Sequence, residues 1–261
     1  MKVVILAGGR GTRIREVSND KPKPMVEIDD RPIIWHIMAS YARFGLKDFI
    51  VCLGYKGHII ADYFQNYRVR NSDLIVDLGS EKVSFVNPCE EDWKITLVQT
   101  GLNTMTGGRI KRVAKYLDDD DFCLTYGDAV SDVDIPSLIE QHNSSGSKAS
   151  VTAVRPNGRF GLLSLGSNNR VSSFMEKPEA EDGWINGGFF VLKQSVIDYI
   201  DGDQTIWERD PLERLAAENE LSVYLHNNFW QCMDTYRDWE LLNKMCEDQH
   251  RPWLGKYDYK F

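Results

Sequence analysis

Positive charge is in short supply in this 261-residue chain. Its 31 Lys and Arg face 39 Asp and Glu, for a net charge of −8. That balance excludes a general nucleic-acid or membrane-surface binder, which needs a basic face to meet phosphate. No apolar stretch approaches the length of a membrane span, and the N-terminus lacks the long apolar core of a secretion signal. The five cysteines (Cys52, Cys89, Cys123, Cys232 and Cys246) are scattered, odd in number and form no C-x-x-C. A disulfide scaffold and a zinc site are both excluded on that pattern. Cys52 and Cys123 lie in apolar runs and read as buried thiols. His36, His58, His142, His226 and His250 are dispersed, and no Ser-His-Asp or Cys-His grouping stands out. Any chemistry is therefore expected to proceed without a protein nucleophile. The expectation is a soluble, reduced, cytoplasmic protein without nucleic-acid or membrane partners.

What the chain does have is an ordinary globular composition, 42% hydrophobic and 27% charged, with length enough for one large α/β domain. Its first residues, MKVVIL, form an apolar run that stops at Ala7 and enters Gly8-Gly9-Arg10-Gly11-Thr12-Arg13, followed by Lys21-Pro22-Lys23-Pro24. A strand, a glycine turn, an Arg and two Lys make an anion-binding arrangement. Glycines let backbone N–H groups close on phosphate oxygens, and the side chains add full positive charge. A Rossmann fingerprint fails at its third glycine, where Ile14 stands, and no window supplies a P-loop. On an acidic chain, this local basic cluster suits a small anionic ligand better than a polymer.

The rest of the chain alternates strand and helix. A helix is predicted from Pro32 to about Gly45, a strand over 47–53 and a second helix over 54–67. Residues 73–93 break the rhythm with short alternating runs and read as an insertion, an edge hairpin or a subunit contact. A strand at 95–98, a helix from Thr106 to about Leu117, a strand at 122–126, a helix at 135–144 and a strand at 149–154 follow. From Phe160 the strands shorten (GLLSLG, RVSSFMEKP, WINGGFFVL). A helix at 207–217, a strand at 221–226 and a helix at 237–247 close the chain. The alternation predicts an α/β fold: a single domain, 1–261, with a Rossmann-like mixed but mostly parallel sheet flanked by helices. Residues 1–130 are expected to form its nucleotide-binding half and 131–261 a C-terminal half of mixed strands.

Open α/β sheets bind ligands beyond the carboxyl ends of their strands, and several polar residues fall at such ends. Asp128 follows FCLTY and reads either as a turn or capping residue or as a ligand for Mg²⁺, a hard cation that takes one or two carboxylates plus phosphate oxygens. Asp234, within FWQCMDT, either caps the following helix, as Thr235 also could, or is a second metal carboxylate. Glu176 and Lys177 form either a surface turn or a pair that meets sugar hydroxyls and a phosphate. Asn186, beside Gly187 and Gly188, reads as a turn or a hydroxyl contact.

These residues also carry a resemblance. VVILAGGRGTR, KPKPM, Gly127-Asp128, the GRFG run at 158–161, EKP and INGGFF resemble the sugar-nucleotide pyrophosphorylases, a nucleotidyltransferase family with a nucleotide-diphospho-sugar transferase fold. The runs TGGRIKRV and FWQCMDT are most similar to its glucose-1-phosphate cytidylyltransferase branch. The resemblance implies transfer of a cytidylyl group from CTP to a sugar 1-phosphate with Mg²⁺, by direct attack of the sugar-phosphate oxygen on the α-phosphorus. It implies Arg13 and Lys23 as catalytic residues. Leu6, Gly8, Gly9, Gly11, Thr12, Arg13, Lys23, Thr100, Gly101, Arg109 and Asp128 would bind nucleotide, with Arg109 the candidate for reading cytosine. Gly161, Glu176, Lys177 and Asn186 would bind the sugar phosphate, and Asp128 and Asp234 the metal. A homo-oligomer is expected, with 73–93 and the aromatic tail 252–261 as contact surfaces. Two departures bear on this. Gln99 stands where the branch tends to carry an acid near the base pocket, and Arg10 adds a cation to the glycine loop. The same transfer with another nucleotide or acceptor therefore stays open, as does a non-catalytic nucleotide-sugar sensor, which the joint presence of Arg13, Lys23, Asp128 and Asp234 disfavours.

Overall fold

The computed structural model describes residues 1–11, 14, 20–87, 91–118, 121–155, 162–165, 171–175 and 183–255. Seven strands make the central sheet: β1 (Val3–Ala7), β2 (Asp48–Leu53), β3 (Lys94–Gln99), β4 (Phe122–Tyr126), β5 (Ala149–Val154), β6 (Ile185–Leu192) and β7 (Leu221–His226). Their spatial order is β7-β5-β6-β4-β1-β2-β3. The pairs β1–β2, β1–β4, β2–β3 and β5–β7 are parallel. Strand β6 runs antiparallel to both β4 and β5. The mostly parallel α/β sheet expected from the alternation is thus present, and strands from both halves of the sequence share it.

Alternation of side chains along each strand divides the interior into two cores. Val3, Ile5 and Ala7 of β1, with Phe49, Val51 and Leu53 of β2, face one side. Val4, Leu6, Ile50 and Cys52 face the other. With both faces covered, β1 and β2 read as continuous apolar runs, as buried parallel strands do. Each fully buried Ile or Val contributes about 1.5–3 kcal/mol relative to exposure. On the first face lie α1 (Ile33–Ala42), α2 (Gly57–Gln65), α4 (Ile135–Ser145) and α6 (Tyr236–Glu247); on the second lie α3 (Thr106–Val113) and α5 (Asp210–Ala217). Helix α1, IIWHIMASYA, is apolar almost all round, and every residue of it is buried. Its one histidine, His36, is satisfied on both ring nitrogens, by Ile28 O at 2.7 Å and by Trp253 Nε1 at 3.1 Å.

Three local outcomes differ from the sequence reading. The helix expected from Pro32 begins one residue later, because Pro32 pairs with Glu27 in a short two-stranded ladder. The helix expected over 207–217 starts at Asp210, where Pro211 occupies the first turn. The tail was expected to be a contact surface from residue 252 onward. Trp253 and Leu254 instead lie in the chain's own core, with Trp253 stacked on Phe229 at 5.5 Å, and 256–261 lie outside the described residues. Residues Leu74–Asp77 and Lys82–Phe85 form an antiparallel hairpin off the main sheet. It exposes Ile75, Val76, Leu78 and Val83. Among the described residues no helix is long and apolar enough to cross a membrane.

Candidate active site

From β1 the chain moves outward through β2 and β3, then returns to place β4 on the other flank of β1. A crevice opens at that reversal, beyond the carboxyl ends of β1 and β4. Residues 8–11 leave β1 there, and Gly127-Asp128 leave β4. Gly127 is tied back by its N–H to Leu6 O at 3.1 Å. A cavity of about 290 Å³ lies between them, lined by Leu6, Gly9, Gly11, Lys23, Asp128 and Asp234, among others.

The KPKP run explains how a lysine enters this crevice. Lys23–Met25 forms a single 3₁₀ turn, with Met25 N–H donating to Pro22 O at 2.8 Å. Pro22 and Pro24 fix φ on either side of Lys23, so little entropy is lost in presenting it. Pro24 also packs on Gly127, and a Cβ at Gly11 would come within 2.8 Å of the Lys23 Cβ. Gly11 has φ +56, so glycine is required there on both counts.

Lys23 is 9% exposed, and its ammonium is held by two carboxylates: Asp128 Oδ2 at 2.8 Å and Asp234 Oδ1 at 2.5 Å. Burial opposes its charge. The attraction and hydrogen bonds of Asp128 and Asp234 outweigh burial and hold the ammonium above its ordinary pKa. The two acids meet although they are far apart in sequence. Ala129–Ser131 and Trp230–Cys232 pair antiparallel, with Cys232 opposite Ala129. Met233 N–H then donates to Asp128 O at 2.9 Å, which brings Asp234 alongside Asp128. Thr235 supplies the cap of α6 in a reciprocal capping box with Asp238. Asp234 is not the cap, and its carboxylate turns toward Lys23. The thiol of Cys232, 3.9 Å from Asp234, is pushed up to about 11 by burial and the neighbouring acids, so it stays protonated.

Two converging carboxylates fit a hard divalent cation. Among the described residues no group of three or more His, Cys, Asp or Glu surrounds such a point. The remaining ligands would then be phosphate oxygens and water, the usual manner of a cation held together with its phosphate substrate.

At the β2–β3 end of the crevice, Arg109 of α3 is 5% exposed. Its guanidinium donates to Leu53 O at 3.1 Å, Thr100 Oγ1 at 2.7 Å and Gly8 O at 3.2 Å. It braces the glycine loop against the ends of β2 and β3. A Cβ on Gly8 would fall 2.1 Å from its Nη1, so Gly8 makes room for the arginine. Thr100 donates in turn to Leu53 O at 2.7 Å, and Gly101 (φ +92) turns the chain against Thr104. Arg10 reaches Asn103 Oδ1 at 3.3 Å, a second tie between the glycine loop and the segment before α3. Gln99, at the end of β3, is exposed.

The structure therefore brings Leu6, Gly9, Gly11, Lys23, Asp128 and Asp234 to the wall of one crevice, while Arg109 and Thr100 are buried and joined to its glycine loop through Gly8, with Gly101 beside Thr104. Asn186 opens β6 at the same edge of the sheet. Its amide donates to Tyr126 O–H at 3.3 Å and accepts from Gly188 N–H at 2.8 Å. Thr12, Arg13, Gly161, Glu176 and Lys177 lie outside the described residues. Tyr126 and Glu208 went unnoticed in the sequence. Tyr126 O–H donates to Glu208 at 2.6 Å, at the end of β4 that leads into Gly127-Asp128.

Comparison with known proteins accords with this geometry. The nucleotidyl transferase family model matches residues 2–240. The glucose-1-phosphate cytidylyltransferase of Salmonella typhimurium is 50% identical over 97% of this chain and 98% of its own length. A probable glucose-1-phosphate cytidylyltransferase of Bacillus subtilis is 42% identical over 97% and 99%. Among solved structures, HddC from Yersinia pseudotuberculosis complexed with GMP-PN superposes with a TM-score of 0.66 at 26% identity, covering 94% of this chain and 99% of that one. The matches run nearly end to end, and the chain belongs to the nucleotidyl transferase family, enzymes that generally depend on a divalent metal.

Proposed function

We propose that this enzyme transfers the cytidylyl group of CTP to α-D-glucose 1-phosphate, releasing pyrophosphate and CDP-glucose. The observation that carries the reading is the Lys23 ammonium held between Asp128 and Asp234 beside the glycine loop. The high identity to the Salmonella and Bacillus proteins supports the choice of CTP and glucose 1-phosphate. The substrate phosphate, with a second pKa of about 6, is mostly a dianion at neutral pH and needs no strong base. Its oxygen attacks the α-phosphorus in line. The bond to the β-phosphate oxygen breaks, and its electrons leave with pyrophosphate.

The protein's part is positioning and charge. Backbone N–H groups of residues 8–11, with Thr12 and Arg13, cradle the triphosphate. Lys23 and Arg13 offset charge that builds on the leaving group. Arg109 acts on the base through the loop that it braces, with Thr100 and Gly101 forming the adjoining wall. Lys177 meets the sugar phosphate; Glu176, Asn186 and the Gly161 backbone meet the sugar. Asp128 and Asp234 would hold Mg²⁺, which when bound would supply Lewis-acid neutralisation of the phosphate oxygens. The enzyme works in the cytoplasm as a homo-oligomer. The exposed apolar residues of the hairpin at 74–85 support that, since an isolated two-stranded hairpin is marginal in water and gains from a partner surface.

The test is a pyrophosphate-release screen crossing the four nucleoside triphosphates with a panel of sugar and non-sugar phosphates. CTP with glucose 1-phosphate is expected to give the highest kcat/KM. A different nucleotide winning overturns the base assignment, and a different phosphate winning overturns the acceptor assignment.

A further inference from the structure

Glu208 stands on no strand or helix, yet both of its carboxylate oxygens are engaged. Oε1 accepts from Tyr126 O–H at 2.6 Å and Oε2 from Thr106 Oγ1 at 2.6 Å. Thr106 is the first residue of α3, and its hydroxyl oxygen accepts from Trp207 N–H at 2.9 Å. That leaves its proton for Glu208. Tyr126 is the last residue of β4, two before Asp128. Its ring lies so close to Gly188 that a Cβ there would fall 2.5 Å from Cδ2.

A phenol has one proton to give. With that hydrogen directed at Glu208, the Tyr126 oxygen can only accept from other partners, and Asn186 Nδ2 donates to it. The other end of the same amide accepts from Gly188 N–H. The amide is thereby fixed in one of its two orientations, with a second N–H and a remaining lone pair that, among the described residues, are left to face a ligand.

We infer that Glu208 is a positioning residue for acceptor specificity: it polarises the Tyr126 hydroxyl one way and so sets which hydrogen-bonding face Asn186 presents to the sugar. The inference rests on the proposed reading that Asn186 meets the acceptor. Glu208 touches no substrate in this scheme. Its effect reaches the acceptor through two hydrogen bonds, and it belongs on the KM for the sugar phosphate rather than on turnover or on CTP.

The test uses the full-length enzyme and three variants: Glu208→Gln, Tyr126→Phe and the double variant. A glutamine at 208 can turn its own N–H₂ to the phenol, which sends the phenol proton toward Asn186 Nδ2 and opposes donor to donor. The acceptor is the sugar phosphate that wild type turns over best in the screen above. A surprise in acceptor identity would then overturn the substrate reading and leave this experiment intact. The acceptor KM is expected to rise about tenfold in each single variant, the loss of roughly one good hydrogen bond. KM for CTP and saturating kcat should stay within about twofold. The double variant should be no worse than the singles, because both changes break one relay. An unchanged acceptor KM overturns the inference. So does a parallel loss of kcat and both KM values, the mark of a structural role, or multiplication of the two effects in the double variant.

Discussion

Replacing Lys23 with methionine probes the centre of the site. Methionine keeps much of the side chain's length and apolar contact and removes only the ammonium. In the ligand-free protein that ammonium is the shared counterion of Asp128 and Asp234, whose side chains are 36% and 28% exposed. Each pair therefore falls between a surface ion pair, worth about 0–1 kcal/mol, and a buried one, whose breaking costs about 3–5 kcal/mol. Water can rehydrate acids this exposed, so roughly 1 kcal/mol per pair is a fair allowance, or about 2 kcal/mol in all. For a chain of this size that is a fall in Tm of about 4–8 °C without metal. Millimolar Mg²⁺ should then raise Tm more in the variant than in wild type, because in wild type the cation competes with the ammonium for the same two carboxylates. Turnover should nonetheless fall by about 10²–10³, the usual cost of losing one charge-stabilising group at a reacting phosphate. Differential scanning fluorimetry across a Mg²⁺ titration, with pyrophosphate release on the same samples, measures all three. Equal Mg²⁺ shifts in the two proteins, with no loss of Tm, would refute the picture of a shared counterion. Near-normal turnover would remove Lys23 from the chemistry.

Asp128→Asn should raise the Mg²⁺ concentration needed for half-maximal rate at least tenfold; unchanged metal dependence sinks the metal assignment. Arg109→Ala removes the brace from Gly8, Leu53 and Thr100 and should lower Tm by several degrees while raising the KM for CTP, with weaker discrimination among pyrimidine triphosphates. Leu78, 86% exposed at the hairpin tip, offers a test of assembly: Leu78→Asp should shift light-scattering mass toward monomer, and unchanged mass would clear the hairpin of that role. His36 predicts acid lability. Burial lowers its pKa from 6.5 to about 4, so the unfolded chain takes up a proton that the folded chain refuses. Its contribution is complete above pH 6.5 and fades as pH falls toward 4, by about 3 kcal/mol in all. A Tm–pH curve for His36→Gln that is as steep as wild type over that window would contradict it.

Some of this architecture was legible in the sequence because the signal was local. MKVVIL and KDFIVCL are apolar on both faces, which is what strands in the middle of a parallel sheet require. The capping choice between Asp234 and Thr235 was not legible. Both residues are competent, and only the reciprocal bonds with Asp238 decide it. Trp253 sits in a polar tail, and its burial depends on the gap between His36 and Phe229, which no local pattern records. Glu208 shows the limit most clearly: its partners lie 82 and 102 residues away. In sequence it is one acid before a helix, and its role comes from the folding together of three distant segments.

The reversed direction of β6 has a consequence for how this site can evolve. A parallel strand delivers its functional residue as the chain leaves the sheet, so change there is followed by a crossover helix that must still pack. Strand β6 delivers Asn186 on entry, before FFVL is committed to the core. Residues just upstream of Ile185 can therefore vary without disturbing a crossover, while the loops after β1 and β4 stay as they are. On the proposed assignment, acceptor preference and phosphate chemistry sit on separately mutable parts of one sheet, and drift in the first need not slow the second.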